Sequence, residues 1–258
     1  MRSLVNYMSL HLKIKLQYKL SFVLTLIAQV LLVFVELYLI TSLFEGFDLL
    51  EQFNKHELRL GFSVIWLGYS LAQTFGRGFD KFSNIIINGN FDLLLIRPQN
   101  IYLQIIGSDI FYEKFSRVIG MLIVYIDSSL KVIDTVGILE LITLITMPIG
   151  VFFVIMGIFI LGAYVCFFTT QGLEFVNIFT DGTKQLAQYP MSIYNNIIKI
   201  FFTFGIPITL VNYFPIEFLT GRSNNMLYVF LPIIASLFIV FPIMIFNRGI
   251  KKYKSTGS

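Results

Sequence analysis

The sequence predicts an all-α integral membrane protein, and its composition is the first reason. Of the 258 residues, 56% are apolar, only 13% are charged, and 28 are phenylalanine. A soluble domain usually carries about a quarter charged residues. The apolar residues also fall in long runs from one end of the chain to the other. This distribution predicts one membrane domain over residues 1–258, with helices long enough to cross a bilayer.

Residues 1–19 precede the first long apolar run and have the pattern of an amphipathic helix. Leucine or methionine recurs every fourth residue from Leu4 to Leu20, and lysines lie beside that stripe. Such a helix would lie in the headgroup plane of the membrane. The alternative is a simple charged flank of the first span. The apolar run that follows is too long for a signal-peptide core, so we expect it to remain as the first span.

Six apolar segments are predicted to cross the membrane. The third begins near charged residues, of which Glu113 and Arg117 stand four apart and can pair on a helix. The fifth is followed by Pro207, Pro215 and Gly221, which break the helix. Residues 211–225 are therefore expected to form a re-entrant or interfacial segment on the outer side. The expected spans are 22–44, 58–75, a helix from 101 or 110 to 129, 139–168, one beginning within 197–210, and 226–246.

The distribution of charge predicts the orientation. The side with both termini, the whole loop after the second span and the whole loop after the fourth span holds 15 Lys or Arg and 6 Asp or Glu. The other side holds 4 and 8. The excess of basic residues predicts that the first side is cytoplasmic, with both termini there.

Few residues suggest chemistry of their own. Glu36 lies within the first predicted span, and an ionisable residue there is a functional candidate; alternatively it reaches the membrane interface. Two histidines, His11 and His56, and one cysteine, Cys166, give no metal-binding spacing. Nucleotide-binding and hydrolase motifs are absent from the sequence. We therefore predict no catalytic, metal or cofactor-binding residues, and the basic face gives no separate reason to expect nucleic acid.

The loop at 76–104 is polar and basic between two apolar regions. Within it Asn88, Gly89 and Asn90 predict a turn, with Asn90 as a helix N-cap. A helix of two turns would run over 91–96, with Phe91 and two leucines on one side. Pro98 ends it, since the residue before a proline disfavours helical angles. The apolar side has two possible partners, its own bundle or another protein.

Residues 89–98, GNFDLLLIRP, resemble the G-x-[FL]-D-x-L-L-x-R-P stretch of type-2 ATP-binding-cassette (ABC) permeases. They are most similar to the subgroup of small six-span export permeases. Residues 181–194, 207–215 and 253–258 agree in order and spacing, so the resemblance covers nearly the whole chain.

The resemblance implies a half-transporter in the cell membrane. Two permease subunits, identical or different, would pair with separate cytoplasmic ATPase subunits that bind ATP and magnesium. The loop at 76–104 would carry the coupling helix. The residues implied to contact the ATPase are Phe91, Asp92, Leu94, Leu95 and Arg97, with a second contact at Asp181 and Lys184.

Two other functions remain open from the residues. An ion-gradient-driven secondary transporter would need paired intramembrane carboxylates or unwound helices, for which the sequence offers only Glu36. A membrane scaffold that transports nothing is the other. If the chain does transport, its wealth of Phe, Leu and Ile favours an amphiphile, a drug, a lipid or an apolar peptide.

Overall fold

The computed structural model of the chain describes residues 9, 12–46, 54–133, 137–169 and 172–253. Within these ranges the regular structure is helical throughout, as the composition predicts, and contains no strand. The helices are α1 (Lys19–Gly46), α2 (Lys55–Phe75), α3 (Arg77–Asp80), α4 (Phe82–Ile87), α5 (Asn90–Ile96), α6 (Ile101–Ser108), α7 (Lys114–Val132), α8 (Ile138–Val165), α9 (Gly172–Ala187), α10 (Asn196–Ile200), α11 (Tyr213–Leu219), α12 (Leu227–Ser236) and α13 (Val240–Lys252).

Three stretches among the described residues are long and apolar enough to cross a membrane, by length and composition. They are Lys19–Ser42, Ile138–Val165 and Leu227–Lys252. Helices α2 and α7 have 21 and 19 residues but carry more polar side chains. These two helices pack against other helices of the bundle, so their polar groups can find partners within the chain.

Helix α8 forms the centre of the bundle. It packs against α2, α9, α12 and α13, whereas α7 packs on the other side of α2 and α1 covers α7. Close approach of α2 and α8 depends on Gly68, where a Cβ would lie 2.4 Å from the Cβ of Val151. Gly157 gives a similar approach, since a Cβ there would lie 2.8 Å from the ring of Phe238.

The fifth predicted span differs from the structure. Residues 172–187, predicted as part of a cytoplasmic loop, form α9 along α8 and α2. The predicted span at 197–210 is only the short helix α10, which continues as a π-helical turn over Phe201–Gly205. The Pro207 region then turns into α11, the helical part of the predicted 211–225 segment. The polar side chains suggested a loop, but Asp181 and Lys184 pair with each other on the helix and contact Tyr69 of α2.

Two other predicted boundaries also change. The expected long helix before the third span is split into α6 and α7, with residues 109–113 between them. The last span is a regular α-helix on either side of a 3₁₀ turn at Leu237–Ile239, which lies between Pro232 and Pro242. Of the predicted N-terminal amphipathic helix, the structure describes only part, in which residues 12–17 are helical.

Candidate functional site

The connecting segment (residues 76–113) joins α2 to α7 at one end of the bundle, where several helix ends meet. The backbone N–H of Phe111 donates to the carbonyl of Thr74 at 3.3 Å, so the segment returns to the end of α2. Lys15, just before α1, pairs with Glu113, just before α7, at 2.9 Å. The ends of α8 and α13 are also here, because Phe167 and Phe246 contact Phe82. We call this the segment end of the bundle.

Helix α5 within this segment begins one residue earlier than the sequence suggests. Gly89 occupies the N-cap position with φ = 67°, in the left-handed region that favours glycine. Asn90 was predicted as the N-cap and is instead the first helical residue. Arg97 ends the helix in extended conformation before Pro98, as predicted.

Phe91 anchors α5 to its own bundle. Its side chain is fully buried, with the rings of Tyr253, Phe82 and Phe167 at 4.9, 5.2 and 5.4 Å. Leu94 is half-buried against the same core. The implied direct contact of Phe91 with an ATPase is thus corrected: in this conformation the bundle covers that side chain. The reason is the aromatic cluster formed by α4, α8 and α13, which no local sequence pattern reveals.

The other face of α5 is apolar and uncovered by the chain. Leu93, Leu95 and Ile96 are 51%, 42% and 77% exposed. Asp92 is half-buried and Arg97 is exposed, and both make interactions within the chain. The sequence-based prediction placed Leu95 on one side of the helix with Phe91 and Leu94, whereas in the structure Leu95 is exposed and Phe91 is buried. The prediction and the structure differ because the sequence of a two-turn helix does not reveal which of its sides is buried.

A polar cleft of about 430 Å³ lies beside α5. Its wall includes the ion pair of Lys81 with Asp109, at 2.8 Å. The remaining polar lining comes from Asn84, Asn88, Asn90, Arg97 and Ser108. Near the cleft, burial raises the pKa of Asp80 above its usual range, and the paired Arg77 guanidinium only partly offsets this. The segment thus combines an apolar surface with a polar recess.

A second candidate region is a cluster of charged and aromatic side chains inside the bundle. The Glu36 carboxylate of α1 pairs with the guanidinium of Arg117 on α7. That guanidinium lies 4.1 Å from the ring centre of Trp66 on α2, a cation–π contact. Arg117 therefore pairs with a residue of another helix. In place of the predicted pair of Arg117 with Glu113, Arg117 pairs with Glu36, and Glu113 pairs with Lys15.

Helix α9 completes this cluster. The ammonium of Lys184 lies 4.7 Å from the ring centres of both Trp66 and Tyr69 and pairs with Asp181 at 2.9 Å. The Tyr69 hydroxyl donates to Asp181 at 3.0 Å, and the Trp66 indole N–H donates to Gln188 at 3.2 Å. Asp181 and Lys184, expected at a second ATPase contact, thus lie alongside the middle of α2.

Sequence reasoning identified Glu36 in this cluster but not Arg117, Trp66 or Tyr69 as its partners. One signal was present: a carboxylate within a span needs a cation, and Arg117 lies at the start of another predicted span. Distance along the chain hid the pair, since 81 residues separate the two side chains.

At the opposite end, the region after α10 is tied to the bundle. The Asn212 amide donates to the carbonyl of Ala187 at 2.9 Å, and Arg222 pairs with Glu57 at the start of α2. Glu57 also accepts from the backbone of Asn54 as part of a capping box. The turn after α10 and the loop after α11 thus cover the ends of α2 and α9.

The long apolar helices are those of an integral membrane protein. The family model described as "ABC-2 family transporter protein" matches residues 5–257, and the chain belongs to this family. It is a transport component of the membrane, a permease. Neither the curated proteins nor the solved structures gave a match.

Proposed function

We propose that the chain is the membrane-spanning permease subunit of an ATP-driven exporter. Two such subunits, identical or homologous, would form the substrate pathway in the cell membrane, each with a separate ATPase that binds ATP and magnesium. Six crossings are proposed: α1, α2, α7, α8, α9, and α12 with α13. Both termini would then be cytoplasmic, at the segment end. Family membership and the excess of basic residues at this end support the proposal.

The exposed apolar face of α5 is the observation that carries the proposal. Leu93, Leu95 and Ile96 are exposed at the basic end of the bundle, on a short helix outside the candidate membrane spans. An amphipathic helix with an uncovered apolar side commonly docks in a groove of another protein. We propose that this face contacts the ATPase, with Asp92 and Arg97 at the rim of the contact.

The buried face of α5 supports a mechanical role. Phe91 connects α5 to the ends of α8 and α13 through the rings of Phe167, Phe246 and Tyr253. If ATP binding moves the docked helix, these two long helices move with it. The ATPase would thereby bias the bundle between two packed arrangements, as in other switching proteins.

The experiment is purification of the chain in mild detergent from cells that express it with its ATPase. We expect an ATPase subunit identified by mass spectrometry, MgATP hydrolysis by the complex, and none by the isolated chain. Ile96→Asp should remove the ATPase, because it places a charge in an apolar contact. Gln99→Asp is the matched control, since Gln99 is exposed in the same loop. Retention of the ATPase by Ile96→Asp would contradict this contact.

A secondary transporter is the second candidate, and the interior of the bundle favours it in one respect. The largely buried pair Glu36–Arg117 and the Lys184 ammonium, whose side chain is 12% exposed, supply the internal ionisable groups that such a carrier needs. Transport in ATP-free vesicles with an imposed proton gradient would support this function against the exporter. Silence with either energy source would instead support a scaffold.

A further inference from the structure

We propose that the basic side chains that extend from the segment end to the middle of α2 form a binding site for the anionic headgroup of an amphiphile, with Lys114 at its centre. The proposal rests on the proposed permease function and names the substrate class for it. The site consists of Lys15, Arg77, Lys114, Arg117 and Lys184, which we call the cation cluster. The chemistry it recognises is a phosphate on an apolar tail.

Lys114 is the cation of this cluster without a carboxylate partner among the described side chains. It is only 8% exposed, and its ammonium lies 5.6 Å from the ring centre of Phe111. Arg117, Lys184 and Arg77 place three further positive charges near this ammonium, and Glu36 places one negative charge there. A buried ammonium in such surroundings is costly until an anion joins it.

The other four cations are already paired. Lys15 pairs with Glu113, Arg77 with Asp80, Arg117 with Glu36 and Lys184 with Asp181. The five cations of the cluster therefore have four carboxylate partners among the described residues. One positive charge of the cluster is left without a carboxylate.

The same region also contains buried hydrogen-bonding groups that have no partner among the described residues. The Nε–H of Arg117 is buried and has no acceptor, and Arg117 lies one helical turn from Lys114. One oxygen of Glu113 likewise lacks a donor, but its other oxygen is bound by Lys15. An ammonium and a guanidinium N–H on the same helix are donors that suit a phosphate group.

The cations of the cluster become less exposed from the surface towards the interior of the bundle. Their arrangement provides a path by which an anion can enter. The exposed fraction of the side chain falls from 38% at Lys15 to 28% at Arg77, 12% at Lys184 and 5% at Arg117. Basic groups arranged in this way attract an anion from the surface towards the interior. Lys15, Arg77 and Lys114 all lie over the ring of Phe111, within 5.2 to 5.6 Å of its centre.

The surface beside the cluster suits an apolar tail. Lys15 lies just before α1 and Glu36 lies on it. The outer side chains of α1, including Val23, Leu24 and Ile27, are about half exposed. A headgroup at Lys114 would leave its tail against this apolar surface. The favoured ligand is therefore an anionic amphiphile rather than a free phosphate ion.

Trp66 gives a direct assay, because it is the single tryptophan of the chain and contacts Arg117 and Lys184. The full-length chain in phosphatidylcholine nanodiscs would be titrated with dihexanoyl phosphatidic acid while Trp66 emission is followed. Dihexanoylglycerol and inorganic phosphate serve as separate arms for the tail and the headgroup. We expect a saturable change with the phosphatidic acid, none with the glycerol ester, and roughly tenfold weaker binding of inorganic phosphate.

Lys114→Met should raise the Kd about tenfold or more, and Lys114→Arg should restore most of the affinity. Lys131→Met is the matched control, since Lys131 lies at the other end of α7 in an exposed pair with Asp127. Arg77→Gln, at a more exposed position, gives a second variant in case Lys114→Met does not fold, and should weaken binding about threefold.

An unchanged Kd in Lys114→Met or, if that variant is unfolded, in Arg77→Gln overturns the site. Equal affinity for inorganic phosphate overturns the assignment of an amphiphile. The titration uses no ATPase, so its failure leaves the proposed permease function standing. Conversely, failure to recover an ATPase would leave a measured headgroup site intact.

Discussion

The ion pair of Glu36 with Arg117 offers the sharpest test of the interior, through the substitution Arg117→Met. The Arg117 side chain is 5% exposed and Glu36 is 20% exposed, so both charges are largely removed from solvent. Removal of one member of a buried pair typically costs about 3–5 kcal/mol, because the other charge remains without compensation. The stacking on Trp66 at 4.1 Å adds a cation–π contribution of up to about 2 kcal/mol for a desolvated pair.

A double substitution separates the pair from its surroundings. Glu36→Gln together with Arg117→Met removes both charges, so we expect it to lose less stability than Arg117→Met alone. The coupling free energy between the two positions should be about 2 kcal/mol or more, within the range for directly contacting groups.

The assay is equilibrium unfolding in mixed micelles of mild detergent and SDS, followed by far-UV circular dichroism. Circular dichroism is preferred to fluorescence because Arg117 contacts Trp66 and its removal alters the emission directly. Lys131→Met, on the same helix in an exposed pair, should unfold as the wild type does. Additive effects of the two interior substitutions, with no coupling, would refute the assignment of a buried, energetically linked pair.

Three further predictions concern the segment end and the packing of the bundle. Phe91→Ala should destabilise the chain by about 3–5 kcal/mol, since it empties a fully buried aromatic site; chemical unfolding measures this, and a loss below about 1 kcal/mol would contradict the anchoring role. Gly68→Ala should cost about 1–3 kcal/mol by the same measurement, because the added Cβ would lie 2.4 Å from Val151; an unchanged midpoint would refute the close contact of α2 and α8. For Asp80, whose pKa is raised by burial, the contribution to stability is present at low pH and is lost as pH rises through the folded-state pKa. Unfolding of the wild type and Asp80→Asn between pH 3 and pH 7, about the range over which a carboxyl titrates, should therefore show the wild type losing more stability with rising pH, and parallel profiles would contradict it.

The candidate site was predictable from sequence to the level of the element. Gly89 and Pro98 bracket a short apolar run, and the helix between them forms as expected, with Arg97 extended before the proline. Which side of that helix is buried was not predictable. Phe91 is covered because Phe167 and Tyr253 reach it from distant parts of the chain. Burial of Phe91 leaves Leu93, Leu95 and Ile96 exposed on the other side of the helix.

The polar residues of α9 show the same limit. A stretch with Asp181 and Lys184 resembles a loop between spans when only its composition is read. In the bundle their charges pair with each other, and the aromatic rings of Trp66 and Tyr69 cover the ammonium. A charged side chain is tolerated in a crossing helix when such partners exist, and the partners come from another helix.

The amino-acid sequence alone determined that this is an all-helical membrane chain with a polar segment at 76–104, because composition, apolar run length and proline positions act locally. The tertiary structure decided which faces and charges are left without partners. Burial of Phe91, the pairing of Glu36 with Arg117 and the excess charge at Lys114 each depend on side chains that only the packing of separate helices brings together.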